Sequence, residues 1–268
     1  MANNTLGGLI KDHRIRKRIS QQDVSIKMGW KDTSRLSKIE QGRVSKPKRE
    51  TIDKLLNALE LDDYEKGDFL YNAGYLPTDE EIKKALKEIK DRIDGWPYPA
   101  YLMDFSWRWL YANDHTLKSI DYPLSAKNEL NNSRMTMLEA AFLPKEKFWV
   151  EILKGDDPEK LNPLTVAQIA AFKTENYKYQ NESWYKKLVK KLMQYDEFRR
   201  LWPKIGLKDY HKKMQEYEFK RVIIPRKKKN ITLNFHMYTS RLISNPQLQI
   251  VLYHPADEFT LKYFRKSN

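Results

Sequence analysis

"SQQDVSIKMGWKDTSRLSKIEQG", Ser20–Gly42, decides how the N-terminal region is read. Ser20 is a good N-cap for a helix over Gln21–Met28, with Asp23 at the capping-box position. Gly29 suits a left-handed C-cap, and Gly42 closes a second helix that Asp32 or Thr33 begins. In that second helix the buried-type residues are Leu36 and Ile39. They point to one side, with Val24, Met28 and Leu55 as expected neighbours.

Two short helices joined by a turn at Gly29 read as a helix-turn-helix. A second helix that enters a major groove needs short or polar residues on its outward side. Thr33, Ser34, Ser37 and Lys38 stand there, gathered toward the end that reaches base edges. Arg35 is placed to reach a base or a phosphate. Gln21, at the start of the first helix, is placed for a phosphate contact aided by the helix dipole. Arg43, Lys46, Lys48 and Arg49 follow and are expected to flank the sugar–phosphate backbone. Plainer readings stand beside these: Ser37 as a solvated helix residue, and 43–49 as a surface loop. Glu40 is expected to cap or to pair with Arg14 or Arg18 rather than to act as an acid.

The surrounding sequence extends this motif into five short helices. Leu6, Leu9 and Ile10 give one apolar stripe; Ile52, Leu55, Leu56 and Leu59 give another over Glu50–Leu59. Asp62 caps a fifth helix carrying Phe69 and Leu70, and Pro77 closes the unit. Charge follows the same division. Residues 1–54 hold 14 Lys or Arg against 6 Asp or Glu, whereas 55–77 hold 1 against 5. The densest positive region therefore coincides with the helix-turn-helix, as a polyanionic partner requires. A Lys-rich surface of purely compositional origin would not be so uneven.

Composition limits the remaining possibilities. The 268 residues, 40% hydrophobic with 7 Trp, 16 Tyr and 10 Phe, suffice for one large or two modest domains. No cysteine is present, which removes disulfides and thiolate–metal sites and fits a reducing cytosol. There is no apolar leader at the N-terminus and no apolar run of about 18 residues, so neither secretion nor a membrane span is expected. Phosphate-loop, dinucleotide and H-E-x-x-H motifs are absent. The five histidines are scattered, and Asp62/Asp63 and Asp156/Asp157 read as helix starts. A non-enzymatic chain without cofactor or metal is expected.

Beyond Pro77 the pattern changes. Thr78 and Glu81 form a capping box before Ile82, Leu86, Ile89 and Ile93, a connecting helix over 78–95. "PAYLMD" and "WRWLYAN" predict a hairpin, with Asn113 capping a helix after it. Arg134 to about Trp202 is mainly helical. Strands return at "YEFKRVIIP", "ITLNFHMYT" and "LQIVLYHP", joined by "RKKKN" and "SRLISNPQ". The fold class expected is α followed by α+β, with a mostly antiparallel sheet and inserted helices over 96–268.

Two resemblances sharpen this reading. "SQQDVSIKMGWKDTSRLSKIEQG" followed by "TIDKLLNAL" resembles the XRE/Cro–C1 class of helix-turn-helix proteins, over about residues 5–60. The resemblance implies a five-helix lambda-repressor-like domain on 1–77. It also implies phosphate contact by Gln21, base reading at Thr33, Ser34 and Lys38, and a structural Glu40. The turn is one residue longer than the commonest form, so either Thr33 or Ser34 leads into the groove; Ser25 replaces the usual Ala. "WPYPAYLMDFSWRWLYAN", "DEFRRLW" and "ITLNFHMYTSRLISNPQLQIVLYHP" together are similar to the MmyB-like, PAS-like ligand-binding domain, over about 90–257. That implies a sheet cupping an apolar pocket for a small hydrophobic ligand, a fatty acid first. Tyr101, Met103, Trp109, Tyr111, Phe142, Trp149, Phe235 and Met237 are the candidate lining, although the same residues also suit a plain core. The expectation is a cytoplasmic transcriptional regulator that binds double-stranded DNA as a homodimer. The alternative is a DNA-binding regulator whose C-terminal domain serves only dimerisation or a protein partner.

Overall fold

The structure, a computed structural model, describes residues 5–120, 122–142, 163–206, 220–224 and 231–265. The chain forms two compact units, one of residues 1–77 with Leu242–Gln247 and one of Thr78–Arg241 with Leu248–Asn268.

The first unit is helical: α1 (Leu6–Arg16), α2 (Gln21–Lys27), α3 (Ser34–Glu40), α4 (Arg49–Ala58) and α5 (Asp63–Asn72). Both α2 and α5 open with capping boxes, Ser20 with Asp23 and Asp62 with Glu65. Each helix ends in a left-handed residue whose successor reaches back to a carbonyl of the last turn. Gly29, Gly42 and Gly74 fill that position without steric cost after α2, α3 and α5. Arg18 and Glu60 fill it after α1 and α4, at φ 55° and 56°. One core joins the helices: Ile10, Val24, Leu36, Leu55, Leu56 and Phe69 are all fully buried within it.

Leu242–Gln247 falls in the "SRLISNPQ" stretch that the sequence presents as a plain turn, yet it packs into this helical unit. Pro246 lies against Gly67, where a Cβ would come within 2.7 Å of its Cδ. The buried Gln247 side chain donates to the Tyr75 carbonyl.

The second unit begins with α6 (Asp79–Asp94), which the Thr78–Glu81 capping box opens. Strands β1 (Ala100–Asp104), β2 (Trp109–Ala112), β3 (Lys220–Ile224), β4 (Ile231–Arg241) and β5 (Leu248–Pro255) make an antiparallel sheet in the order β2-β1-β5-β4-β3. Helices α7 (Asp114–Ser119), α8 (Lys127–Ser133), α9 (Met137–Phe142), α10 (Pro163–Glu175), α11 (Ser183–Leu192) and α12 (Asp196–Leu201) fall between β2 and β3 in sequence. Helix α13 (Glu258–Arg265) follows β5. The fold is therefore a helical unit followed by an α+β unit with an antiparallel sheet and inserted helices.

Asn113 caps α7 as its position predicts, and it does more. Its Oδ1 accepts from Thr116 N and from Ala100 N, while its Nδ2 donates to the carbonyls of Ile93, Trp96 and Tyr98. One buried amide thus fixes the end of α6, the start of β1 and the start of α7 together. No helix among the described residues is long and apolar enough to cross a membrane.

Candidate nucleic-acid interface

Helix α3 has two unlike faces. Leu36 is fully buried and Ile39 nearly so, which stabilises the helix in place by about 1.5–3 kcal/mol for each side chain. Ser34, Arg35 and Lys38 are exposed, and Ser37 is half-buried. Asp32 and Thr33 share the helix start. Thr33 occupies the N-cap position without a side-chain cap, and the Asp32 carboxylate accepts from Ser34 N at 2.8 Å. The hydrogen bonds from Ser34 lower the Asp32 pKa.

The inner edge of α3 is fixed to α1 and α2 through Glu40. Arg14 Nε donates to Glu40 Oε1 at 2.6 Å, and Arg14 Nη2 donates to Oε2 at 3.0 Å. Gln21 Nε2 donates to the same Oε2 at 2.8 Å. The Glu40 side chain is only 4% exposed and that of Arg14 13%, so the pair is held in a poorly solvated place. The bond to Glu40 raises the Arg14 pKa. Gly7 brings α1 still closer: a Cβ there would stand 2.4 Å from the Ile39 carbonyl oxygen and 2.5 Å from that of Glu40. Only a residue without a side chain permits this approach.

The sequence-predicted DNA residues therefore fall into different roles. Ser34 and Lys38 lie one turn apart on the exposed side of α3. Ser37 accepts from the Gln41 amide at 2.9 Å, which brings Gln41 onto the same stripe; spacing from Ser34 and Lys38 is the signal that points to it. The Arg35 guanidinium sits 4.8 Å from the centre of the Trp30 ring. Trp30, an aromatic residue in an otherwise polar turn, is thus a support for Arg35 that the sequence reading passed over. Gln21 uses part of its amide on Glu40 and is not a purely outward group.

The basic run after α3 is also divided. Arg43 and Lys48 are exposed. Lys46 Nζ donates to the Ala73 carbonyl at 2.5 Å and lies 4.1 Å from the Tyr75 ring centre. Its ammonium ties this loop to the end of α5, while the residue stays exposed. Arg49 is likewise held, by Asp53 at 2.7 Å and the Leu76 carbonyl at 3.1 Å.

In the second unit, Tyr101, Met103, Trp109, Phe142 and Phe235 enter one buried cluster. Tyr101 stacks on Trp109 at 4.8 Å, and Phe235 meets Tyr253 edge-on at 5.3 Å. Tyr111 lies outside that cluster, its hydroxyl donating to Asp94 at 2.7 Å with the ammonium groups of Lys90 and Lys127 near its ring. Met237 is 43% exposed on β4. Trp149 lies outside the described residues.

Residues 5–67, well under half of the chain, match the family model described as a helix-turn-helix domain. No curated protein matches the chain. The N-terminal segment therefore carries a helix-turn-helix domain, a module of DNA-binding regulators, built on α2 and α3 and braced by α1.

Proposed function

We propose that the chain is a sequence-specific transcriptional regulator that reads double-stranded DNA with α3. The two-faced character of α3 supports this most directly: Leu36 and Ile39 anchor it while Ser34, Arg35 and Lys38 stand exposed. Thr33 or Ser34 leads into the major groove, with Ser37 and Lys38 behind it. Arg43 and Lys48 contact phosphates, joined by Gln21 through its helix N-terminus. A homodimer on a two-fold site would double these contacts and make affinity fall steeply with salt. Selection of bound sequences from a random duplex pool tests this reading; enrichment of no sequence contradicts it.

The second unit, on this reading, takes a small hydrophobic ligand, a fatty acid first, and biases DNA binding through unequal ligand affinity in two states. The support is the resemblance of three segments to the MmyB-like domain, together with the gathering of Tyr101, Met103, Trp109, Phe142 and Phe235. Organic extraction of the purified protein followed by mass spectrometry tests it. A bulky polar residue at Met103 or Phe235 should block the ligand without unfolding the protein; unfolding makes these residues core.

A second reading rests on a different observation. Met237 and Tyr238, successive residues of β4 that face opposite sides of the sheet, are 43% and 61% exposed, apolar side chains that suit self-association or a protein partner. A ligand-free, dimeric protein by native mass spectrometry favours that alternative.

A further inference from the structure

A cleft of about 560 Å³ opens among the helices of the second unit, where none of the candidate lining residues among the described ones lies. Tyr185 and Trp202 furnish aromatic surface, and Tyr177, in the 3-10 turn Tyr177–Tyr179, adds a ring that is 59% exposed. Two of these rings are firmly set. Tyr185 stacks on Phe172 at 5.6 Å, and Trp202 stacks on Phe198 at 4.9 Å.

The walls are cationic. Lys173 donates to the Trp202 and Ile205 carbonyls and holds its ammonium 4.3 Å from the Trp202 ring centre. Lys186 and Lys190 stand one turn apart on α11, both exposed, and neither has an ion-pair partner among the described residues. No Asp or Glu lines the cleft among the described residues.

We propose that this cleft binds a small planar anion: an aromatic ring joined to a phosphate or carboxylate, of nucleoside monophosphate size. The volume falls in the range of roughly 300–1,000 Å³ usual for small-molecule sites. A ring gains by stacking on the exposed Tyr177 ring, while Trp202, held between Phe198 and the Lys173 ammonium, gives the cleft an apolar wall. An anionic group gains by lying between Lys186 and Lys190, whose ammonium groups have no ion-pair partner among the described residues. A wholly apolar ligand would leave those lysines unused, and a bare anion would leave the rings unused. The proposal stands independently of DNA reading by α3.

The test uses the full chain and adenosine 5′-monophosphate, with adenosine and inorganic phosphate as half-probes, followed by calorimetry at low salt. The monophosphate should bind at least about ten-fold more tightly than either half. The double variant Lys186→Glu/Lys190→Glu should cost it about ten-fold or more, while adenosine affinity stays unchanged. Tyr177→Ala should weaken the monophosphate and adenosine together. Both lysines are exposed, so unchanged circular dichroism and unchanged affinity for a DNA duplex are expected of the double variant. Failure of the monophosphate to bind at millimolar concentration overturns the proposal. So does binding that the double variant leaves intact, or an equal loss of duplex affinity, which would make the lysines a general polyanion surface. Laurate binding that the double variant abolishes, with no monophosphate binding, overturns the aromatic assignment.

Discussion

Arg14 and Glu40 form a two-point ion pair, Nε to Oε1 at 2.6 Å and Nη2 to Oε2 at 3.0 Å, that joins α1 to the C-terminal turn of α3. Gln21 adds a third donor from α2. The candidate reading helix is therefore aimed by polar contacts as well as by Leu36 and Ile39. Removing one partner strands a charge in a poorly solvated place, which typically costs about 3–5 kcal/mol. Arg14→Ala and Glu40→Ala should each destabilise the first unit at the low end of that range, because Arg14 keeps some solvent contact. A double-mutant cycle by urea denaturation should show strong non-additivity. Additive losses would mean that the pair contributes little. Arg14→Lys should rescue only partly, since an ammonium cannot make both parallel bonds.

Gly7 offers a separate handle on the same helix. A Cβ at 2.4 Å from a backbone oxygen cannot be absorbed by rotating a side chain. Gly7→Ala should cost about 1–3 kcal/mol by forced displacement of α1 from α3. DNA affinity should fall as well, although Gly7 touches no DNA in this account. Thermal denaturation and gel shift on one preparation measure both effects.

Arg18 supplies the opposite case. It holds φ 55° after α1, a conformation that costs a non-glycine residue roughly 1–2 kcal/mol. Glycine removes that cost but adds freedom to the unfolded chain. Arg18→Gly should therefore stabilise the first unit by about 0.5–1 kcal/mol, read as a rise in the denaturation midpoint. A fall would show that the Arg18 side chain contributes more than its backbone costs.

What was legible in the sequence is what is decided locally. Ser20 with Asp23, Thr78 with Glu81, and Asn113 act within three residues of themselves, and each caps its helix as expected. Leu36 and Ile39 were legible because helical spacing alone puts them on one side. The employment of Gln21 and Lys46 was not, because it depends on Glu40 and Ala73, partners far along the chain. Nor could spacing choose Arg14 over Arg18 for Glu40, predict that 242–247 packs beside Gly67, or reveal the Lys186–Lys190 cleft. Those are products of tertiary packing. In the second unit the same aromatic residues serve as core and as candidate lining, so composition alone could not divide them.

His13 gives the first unit a pH dependence. It packs edge-on to Phe69 at 5.9 Å, and burial is the main reason that its pKa is lowered. Arg16 and Lys17 lower it further, while Glu65 and Asp68 oppose them. The unfolded chain, with a histidine pKa of about 6.5, thus binds the proton more readily than the folded unit. Stability from this site is full above that pH and declines as pH falls toward the folded value. Urea titrations from pH 7.5 down to about 5 should show the decline, and His13→Gln should reduce it. An unchanged slope in the variant assigns the acid sensitivity elsewhere.

The most direct measurement compares Lys38→Ala with Lys48→Ala on a selected duplex and on a scrambled one. Lys38→Ala should reduce preference for the selected duplex by about 1–3 kcal/mol, with little change on the scrambled one. Lys48→Ala should weaken both equally and lower the salt dependence by about one counterion. Equal losses on both duplexes for Lys38→Ala, with preference intact, would contradict the assignment of α3 as the helix that reads DNA.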